Sequence, residues 1–509
     1  MGARVRRILL GLAIGSCGFL ASPSSRAQAV PEVGPPPTVE AAPALEGPLT
    51  PIPPIPPATK AGTPEPSPGV RPLPEFMRNK RRMNPADVID KKDDGYFTGL
   101  PLINSDPDTG VGFGARVLYF NNGSRNDVIF EATPYRHRAY AQAFVTTTGY
   151  QYHTLDYDAP YVADQPFRLR ASLVYEKNIA ANYFGVGERS LGRLRFPGSD
   201  EKFFSQSDYT DALRRVQPDG TAFTRFNQYI LERPKATAVV ERDFFGGVVR
   251  GLVGVSVAYA SVRQWTGETV TADDPATGQT DIERPQATTR LQLDCAAGLL
   301  VGCNGGFNNA IKLGIAYDTR DFEPDPNSGV FIELNAELSG KYTLSEYNWA
   351  RLTFSPRVYY SPFPKLTDLV LAGRFVGSVQ SEGTPFFELN QLSFADYNRA
   401  GLGGLRTIRG FKQDRFVGQV VALANLEVRW TFYEFDAKFA KRQHFGLMLA
   451  PFLDVGRVFD TLSDIELARF RNGQGVGFRI AWNQATIIVL DYGVSREGST
   501  LYVNFNHPF

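Results

Sequence analysis

From Gly95 to Phe509 apolar and polar residues alternate with period two, and charges stand inside the apolar runs. In Val420 to Phe432, one side carries Ala422, Ala424, Leu426, Val428, Trp430 and Phe432. The other carries Val421, Leu423, Asn425, Glu427 and Arg429. In Gly475 to Trp482, Val476, Phe478, Ile480 and Trp482 oppose Gly475, Gly477, Arg479 and Ala481. In Thr486 to Gly493, Thr486, Ile488, Leu490 and Tyr492 oppose Ile487, Val489, Asp491 and Gly493. Successive side chains of a strand point to opposite faces, so this is a chain of strands with two unlike faces. A transmembrane barrel turns the apolar face to lipid and the polar face to its lumen. A soluble sandwich turns the apolar face inward. Alternation alone does not separate the two.

Loop lengths do. Turn signals place strands near 95–103, 110–120, 127–136, 139–160, 167–179, 222–243, 247–264 and 305–318. The others fall near 329–340, 346–361, 367–382, 418–433, 444–458, 473–483, 486–494 and 499–509, sixteen in all. Connections after even-numbered strands are short (NNGSRND, VADQPF, FGG, NQA), whereas 180–221, 265–304 and 383–417, after odd-numbered strands, are long. Short turns at one end and long loops at the other mark an outer-membrane barrel, with the turns periplasmic and the loops outside. Residues 95–509 also exceed a sandwich domain of about 100 residues. The fold class predicted is all-β, a sixteen-stranded antiparallel transmembrane β-barrel. The 48 glycines, 22 tyrosines and 37 phenylalanines suit its turns and aromatic girdles.

The region before the strands differs. Arg4, Arg6 and Arg7, the apolar run Ile8 to Leu20 and Ala27-Gln28-Ala29 predict a cleaved signal peptide over 1–29. Residues 30–75 are proline-rich and predict a disordered periplasmic linker. Residues 76–94 (FMRNKRRMNPADVIDKKDD) read as a charged periplasmic segment, either a short helix or a plug. Mean hydropathy is −0.22, and no later stretch is apolar for about 18 residues, which excludes a helical membrane protein. A net charge of +1 gives no argument for a nucleic-acid partner. Beyond the signal segment, only Cys295 and Cys303 remain, either paired within one loop or left as two thiols.

Catalytic motifs are not found. The four histidines, His137, His153, His444 and His507, lack metal-ligand spacing, and there is no nucleophile elbow or phosphate-binding loop. The expectation is no enzyme, no catalytic residue, no metal and no cofactor. The chain ends LYVNFNHPF. Leu501, Val503, Phe505 and Phe509 are read on one face, with Phe505 and Phe509 resembling the C-terminal signal recognised by barrel assembly machinery.

Three stretches, GLGGLRTIRGF (401–411), APFLDVGRVFD (450–460) and YDTRDFEPDPNSGVF (317–331), resemble motifs of the BamA/TamA-like superfamily of outer-membrane barrels, the bacterial surface antigen family. Ile408, Arg409, Gly410 and Phe411, preceded by Gly403 and Gly404, match its R-G-F/Y motif. Phe452, Asp454 and Gly456 match F-x-D-x-G, and Tyr317, Asp318, Arg320 and Asp321 match its Y-D-T-R-D turn. NYFGVG (182–187) and DPDTGVGFGA (106–115) are similar to further family segments. The resemblance implies that the loop between strands eleven and twelve folds into the lumen and that Arg409 pairs with Asp454 on the inner wall. Arginine's planar fork suits a carboxylate held there.

The family also implies work on polypeptides. Its assembly and transport members carry polypeptide-transport-associated (POTRA) domains, for which residues 76–94 are too few, so a chain without them is expected. Two functions follow: aiding insertion or translocation of unfolded outer-membrane or secreted polypeptides, or serving as a passive channel or structural surface antigen. The partners expected are outer-membrane lipids, such polypeptides, and barrel assembly machinery during biogenesis.

Overall fold

Period-two alternation becomes one large antiparallel sheet whose strands pair with their neighbours in sequence, and two short strand pairs in the connections form separate sheets. The computed structural model describes residues 72–83, 88, 91–106, 110–323, 325–395, 399–439, 441–482, 486–505 and 507–509. The expected signal peptide and the linker to residue 71 lie outside the described residues, as does part of 76–94.

The strands are Gly95–Asp106 (β1), Gly110–Asn121 (β2), His137–Thr146 (β3), Gln151–Ala159 (β4), Phe167–Asn182 (β5), Gln228–Phe244 (β6) and Val249–Arg263 (β7). Gly305–Phe307 and Ala310–Asp318 both pair with β7 and together form β8. Gly329–Ser339 (β9), Trp349–Tyr360 (β10), Asp368–Gln380 (β11), Val420–Phe439 (β12) and Lys441–Phe459 (β13) follow. Arg471–Trp482 (β14), Thr486–Ser495 (β15) and Gly498–Phe505 (β16) complete the sheet. Among the described residues no ladder joins β16 to β1.

Two strand assignments differ from expectation, and their effects on the count cancel. Residues 127–136 are not a strand. Asp127 caps a 3-10 turn at Val128–Glu131 by accepting the Ile129 N–H at 2.9 Å, and Ile129 packs with Met77 and Tyr161. The apolar run there serves a turn's underside, not a strand face. Residues 139–160 are a hairpin, β3 and β4. Its turn is closed by Thr146 N–H to Tyr150 carbonyl, 2.9 Å, with Gly149 at φ +99°. The strand expected to open at 222 begins at Gln228.

The two faces are sharply unlike. Leu155, Leu173, Val253, Ile315, Phe354, Leu426, Trp430, Val476 and Val503 are exposed on one. Glu241, Arg250, Glu333, Arg351, Arg374, Glu427, Asp454, Arg479 and Asp491 are buried on the other. A water-soluble sandwich has the reverse pattern. The glycines of Gly110 to Gly114 serve packing: a Cβ at Gly112 would run into the Phe144 ring.

Long connections, 183–227, 264–304 and 381–419, lie at one end, and most turns at the other are short. Residues 72–83 strap across those turns. Asn79 N–H donates to the Gly246 carbonyl at 2.9 Å, and Met83 N–H to the Glu131 carbonyl at 2.8 Å. Lys80 Nζ donates to Tyr161 Oη at 2.7 Å and Arg81 Nη1 to Ser328 Oγ at 2.8 Å. Met77, within the strap, is completely buried.

The C-terminal residues require a correction. Phe505 ends β16, and its side chain lies outside the described residues. Phe509 does not share the outer face with Leu501 and Val503. It is 6 % exposed and packs on the polar side against Tyr359, Val370 and Ala372. Pro508 has no N–H for a ladder. Arg429 Nη2 donates to the Phe509 carbonyl at 2.9 Å, and the Arg374 guanidinium lies 4.9 Å from the Phe509 ring centroid. His507 Nε2 meets Asp325 Oδ1 at 2.8 Å.

Candidate functional site

The 381–419 connection is laid against the polar face and stitched to strands far apart in sequence. Glu333 of β9 accepts the Ala395 N–H at 2.7 Å. Arg351 of β10 donates to the Glu388 carbonyl at 2.7 Å, and Gln380 of β11 to the Leu389 carbonyl at 3.0 Å. Asn182 of β5 donates to the Gln413 carbonyl at 3.0 Å.

Its tip is Ile408 to Phe411. Arg409 is 1 % exposed. Its Nε and Nη2 donate to the two Asp454 carboxylate oxygens at 2.7 and 2.8 Å, and its own N–H donates to Asp454 Oδ2 at 3.0 Å. Nη1 donates to Glu427 Oε1 at 2.8 Å and Asp491 Oδ2 at 2.7 Å. The guanidinium lies over the Phe452 ring, 3.4 Å from its centroid. Arg479 donates to both Glu427 oxygens at 2.7 and 3.0 Å, and Arg429 to Glu427 Oε2 at 2.9 Å. Three guanidiniums thus face three carboxylates, contributed by the tip and β12 to β15. Asn425 ties Asp454 to the Thr407 carbonyl, 2.7 Å to each. Burial of so many charges is sustained by pairing each of them.

Backbone geometry completes the seat. Gly410 has φ +92°, and a Cβ there would stand 2.6 Å from Val494 C. Its N–H donates to Tyr502 Oη at 3.0 Å, and Ser495 Oγ donates to its carbonyl at 2.8 Å. Beneath the tip, a Cβ at Gly473 would run into the Arg409 carbonyl, and one at Gly493 would lie 2.8 Å from Arg409 Cβ. Gly456 leaves room for Ile408, whose Cδ1 would be 2.9 Å from an added Cβ. Ile408 and Phe411 sit in an apolar cluster with Leu402, Phe416, Leu423 and Val458. Gly403 and Gly404, at φ +111° and +86°, turn the chain back, and Thr407 Oγ1 accepts the Gly403 N–H at 2.9 Å.

The motif residues divide into two places. Gly403, Gly404, Ile408 to Phe411, Phe452, Asp454 and Gly456 meet in this seat. Asp318, Arg320 and Asp321 instead build the turn 319–328. Arg320 holds Asp318 through two bonds of 2.9 Å, and Asp321 Oδ1 accepts the Asn327 and Ser328 N–H groups at 3.0 and 3.1 Å. Tyr317 is exposed on the apolar face. Cys295 and Cys303 form a disulfide in the 264–304 connection. Glu427, Asp491 and Arg479 belong to the seat and were legible only as charges on polar faces. Gly473 and Gly493 carried no signal beyond their place in strands.

Asp414, in the same connection, is buried and accepts from Asn390 Nδ2 at 3.1 Å, while its Oδ1 has no hydrogen-bond partner among the described residues. Burial pushes its carboxyl up to about 7, with Glu176 adding to the rise and Asn390, the Gly401 backbone and Arg233 opposing it. Glu176, Arg233 and Tyr229 are titratable groups that interact with it. In the unfolded chain an aspartate titrates near ~3.9. The folded state therefore holds the proton more tightly. Stability from this site is full below about pH 4 and is lost as pH rises through about 7. Asp414→Asn is expected to flatten the fall in thermal midpoint between about pH 5 and about pH 8. An equal slope in wild type and variant would place the sensitivity elsewhere.

The profile of the Omp85 superfamily domain matches residues 234–506, and that of a domain of unknown function, DUF5982, matches residues 73–136. The chain belongs to the Omp85 superfamily; the match takes in more than half of it and contains the whole Arg409 seat. Among solved structures, BamA from Haemophilus ducreyi lacking POTRA domains 1-3 is 12% identical with TM-score 0.44, over 82% of this chain and 70% of that one. CdiB from Escherichia coli is 8% identical with TM-score 0.45, over 81% of this chain and 62% of that one. A search of curated proteins found no match.

Proposed function

We propose that the sheet closes into a sixteen-stranded barrel in the bacterial outer membrane, with the 381–419 connection inside its lumen, and that the barrel aids insertion or translocation of polypeptides. The observation that carries this reading is the Arg409 seat. A covered polar face with an uncovered apolar face suits a lumen and a lipid surround. A segment held by paired charges, not by the ladder, is one that can leave when the pairs are exchanged. The periplasm then lies on the side of the strap and short turns, and outer-membrane lipids cover the apolar face. Barrel assembly machinery inserts the chain. No catalytic group, cofactor or nucleic acid enters the reading.

The strap favours a second reading. Its bonds to four turns, together with the seated connection, suit a closed structural barrel that moves nothing. Reconstitution of the full chain in liposomes beside an unfolded outer-membrane protein separates the two. Folding of that protein, followed by gel mobility, is expected to run faster than in empty liposomes. Equal rates would discard the first reading and leave the second.

A further inference from the structure

We propose that Arg193, Arg415, Arg471 and Arg496 form an anion site at the long-connection end of the sheet, taking a phosphate-type group. Glu497, in the turn between β15 and β16, is the carboxylate that Arg415, Arg471 and Arg496 share, and Arg193 stands beside Arg496. Arg415 already holds it, through Nε at 2.8 Å and Nη2 at 3.0 Å, while also donating to the Ser190 and Gly192 carbonyls at 2.5 and 3.0 Å.

The other three arginines are left with little. Arg496 stands 3.7 Å from the same Glu497 and feels Arg415 and Arg193 as like charges. Arg471, at the start of β14, donates Nη2 to the Leu191 carbonyl at 2.6 Å, and its Nε is buried without a partner among the described residues. Its charged surroundings are Arg496, Arg415 and Arg457 against Glu497. Arg457 is itself occupied by Glu188 and Glu466, each at 2.6 Å. Arg193 is exposed and lies over the Phe204 ring, 3.7 Å from its centroid, with no ion pair among the described residues.

The contrast with the Arg409 seat decides the argument. There, three guanidiniums meet three carboxylates; here, three meet one, with a fourth, Arg193, beside Arg496. Like charges gathered around one carboxylate repel, and a buried N–H with no acceptor costs free energy. A tetrahedral oxyanion relieves both, because guanidinium forks match phosphate oxygens. Two sources offer that chemistry: free inorganic phosphate and the phosphorylated headgroup of a glycolipid in the adjoining leaflet.

The test uses the full chain purified without phosphate. Inorganic phosphate is titrated by calorimetry in detergent. In parallel, nanodiscs carrying bis-phosphorylated lipid A or its dephosphorylated form are compared for co-purified glycolipid. Binding is expected in at least one arm, and Arg471→Ala with Arg496→Ala is expected to weaken it by at least about tenfold. Retention of phosphorylated lipid A without free-phosphate binding assigns the headgroup; binding in calorimetry assigns the soluble ion as sufficient. Should the double variant fail to fold, Arg496→Ala alone, in an exposed turn, repeats the comparison. No binding in either arm, or equal binding by wild type and a folded variant, overturns the proposal.

Discussion

Arg409→Ala is expected to destabilise the protein by about 3–5 kcal/mol, the usual penalty for removing one partner of a buried charge pair. Asp454 loses a two-pronged donor, and Glu427 and Asp491 each lose a bond, all three being fully buried. The tip keeps only its backbone bonds and the Ile408 and Phe411 contacts, so the 381–419 connection should leave its seat. Thermal or denaturant unfolding reads the first effect. Planar-bilayer conductance, enlarged relative to wild type, reads the second. Arg409→Lys keeps the charge but cannot span Asp454, Glu427 and Asp491 with one rigid fork, and should fall between the two. A folded Arg409→Ala protein with unchanged stability and conductance would show that Arg409 does not hold the connection in place.

Gly410→Ala should release the same connection with every charge left in place. A side chain at φ +92° costs about 1–2 kcal/mol. The added Cβ also meets Val494 C at 2.6 Å and Ser495 N at 2.7 Å, backbone atoms that cannot swing aside as a side-chain end would. Gly473→Ala pushes on the same tip from the strand beneath it, because its Cβ would enter the Arg409 carbonyl. Both variants are expected to enlarge conductance as Arg409→Ala does. If they unfold no sooner than wild type and conduct no more, the tip is not seated on the glycine floor. Agreement between charge removal and glycine replacement would identify seating, not electrostatics alone, as what holds the connection on the polar face.

Period-two patterning made the strands and their unlike faces legible, because side-chain direction in a strand is local. It set Glu427, Arg479 and Asp491 on polar faces, and the motif resemblance linked Asp454 to Arg409. It could not say that Glu427 and Asp491 reach the same guanidinium, since that depends on register between strands. The apolar run at 128–130 imitated a strand while serving a 3-10 turn. Thr146 to Thr148 hid a hairpin, because β-branched residues read as strand until the backbone turns. Phe509 was misread because alternation was carried past Phe505, where the ladder stops. The glycine floor was invisible for a simpler reason: what a missing Cβ makes room for lies elsewhere in the chain.

The turn 319–328 receives both extremities of the described chain. Arg81 of the strap bonds Ser328, and His507 of the tail bonds Asp325. It works as a buckle. Tension applied ahead of residue 72 would load these side-chain bonds and those of the strap before it reached any ladder of the sheet. The tail's grip on Asp325 then becomes a mechanical neighbour of the strap's, although hundreds of residues separate them along the chain.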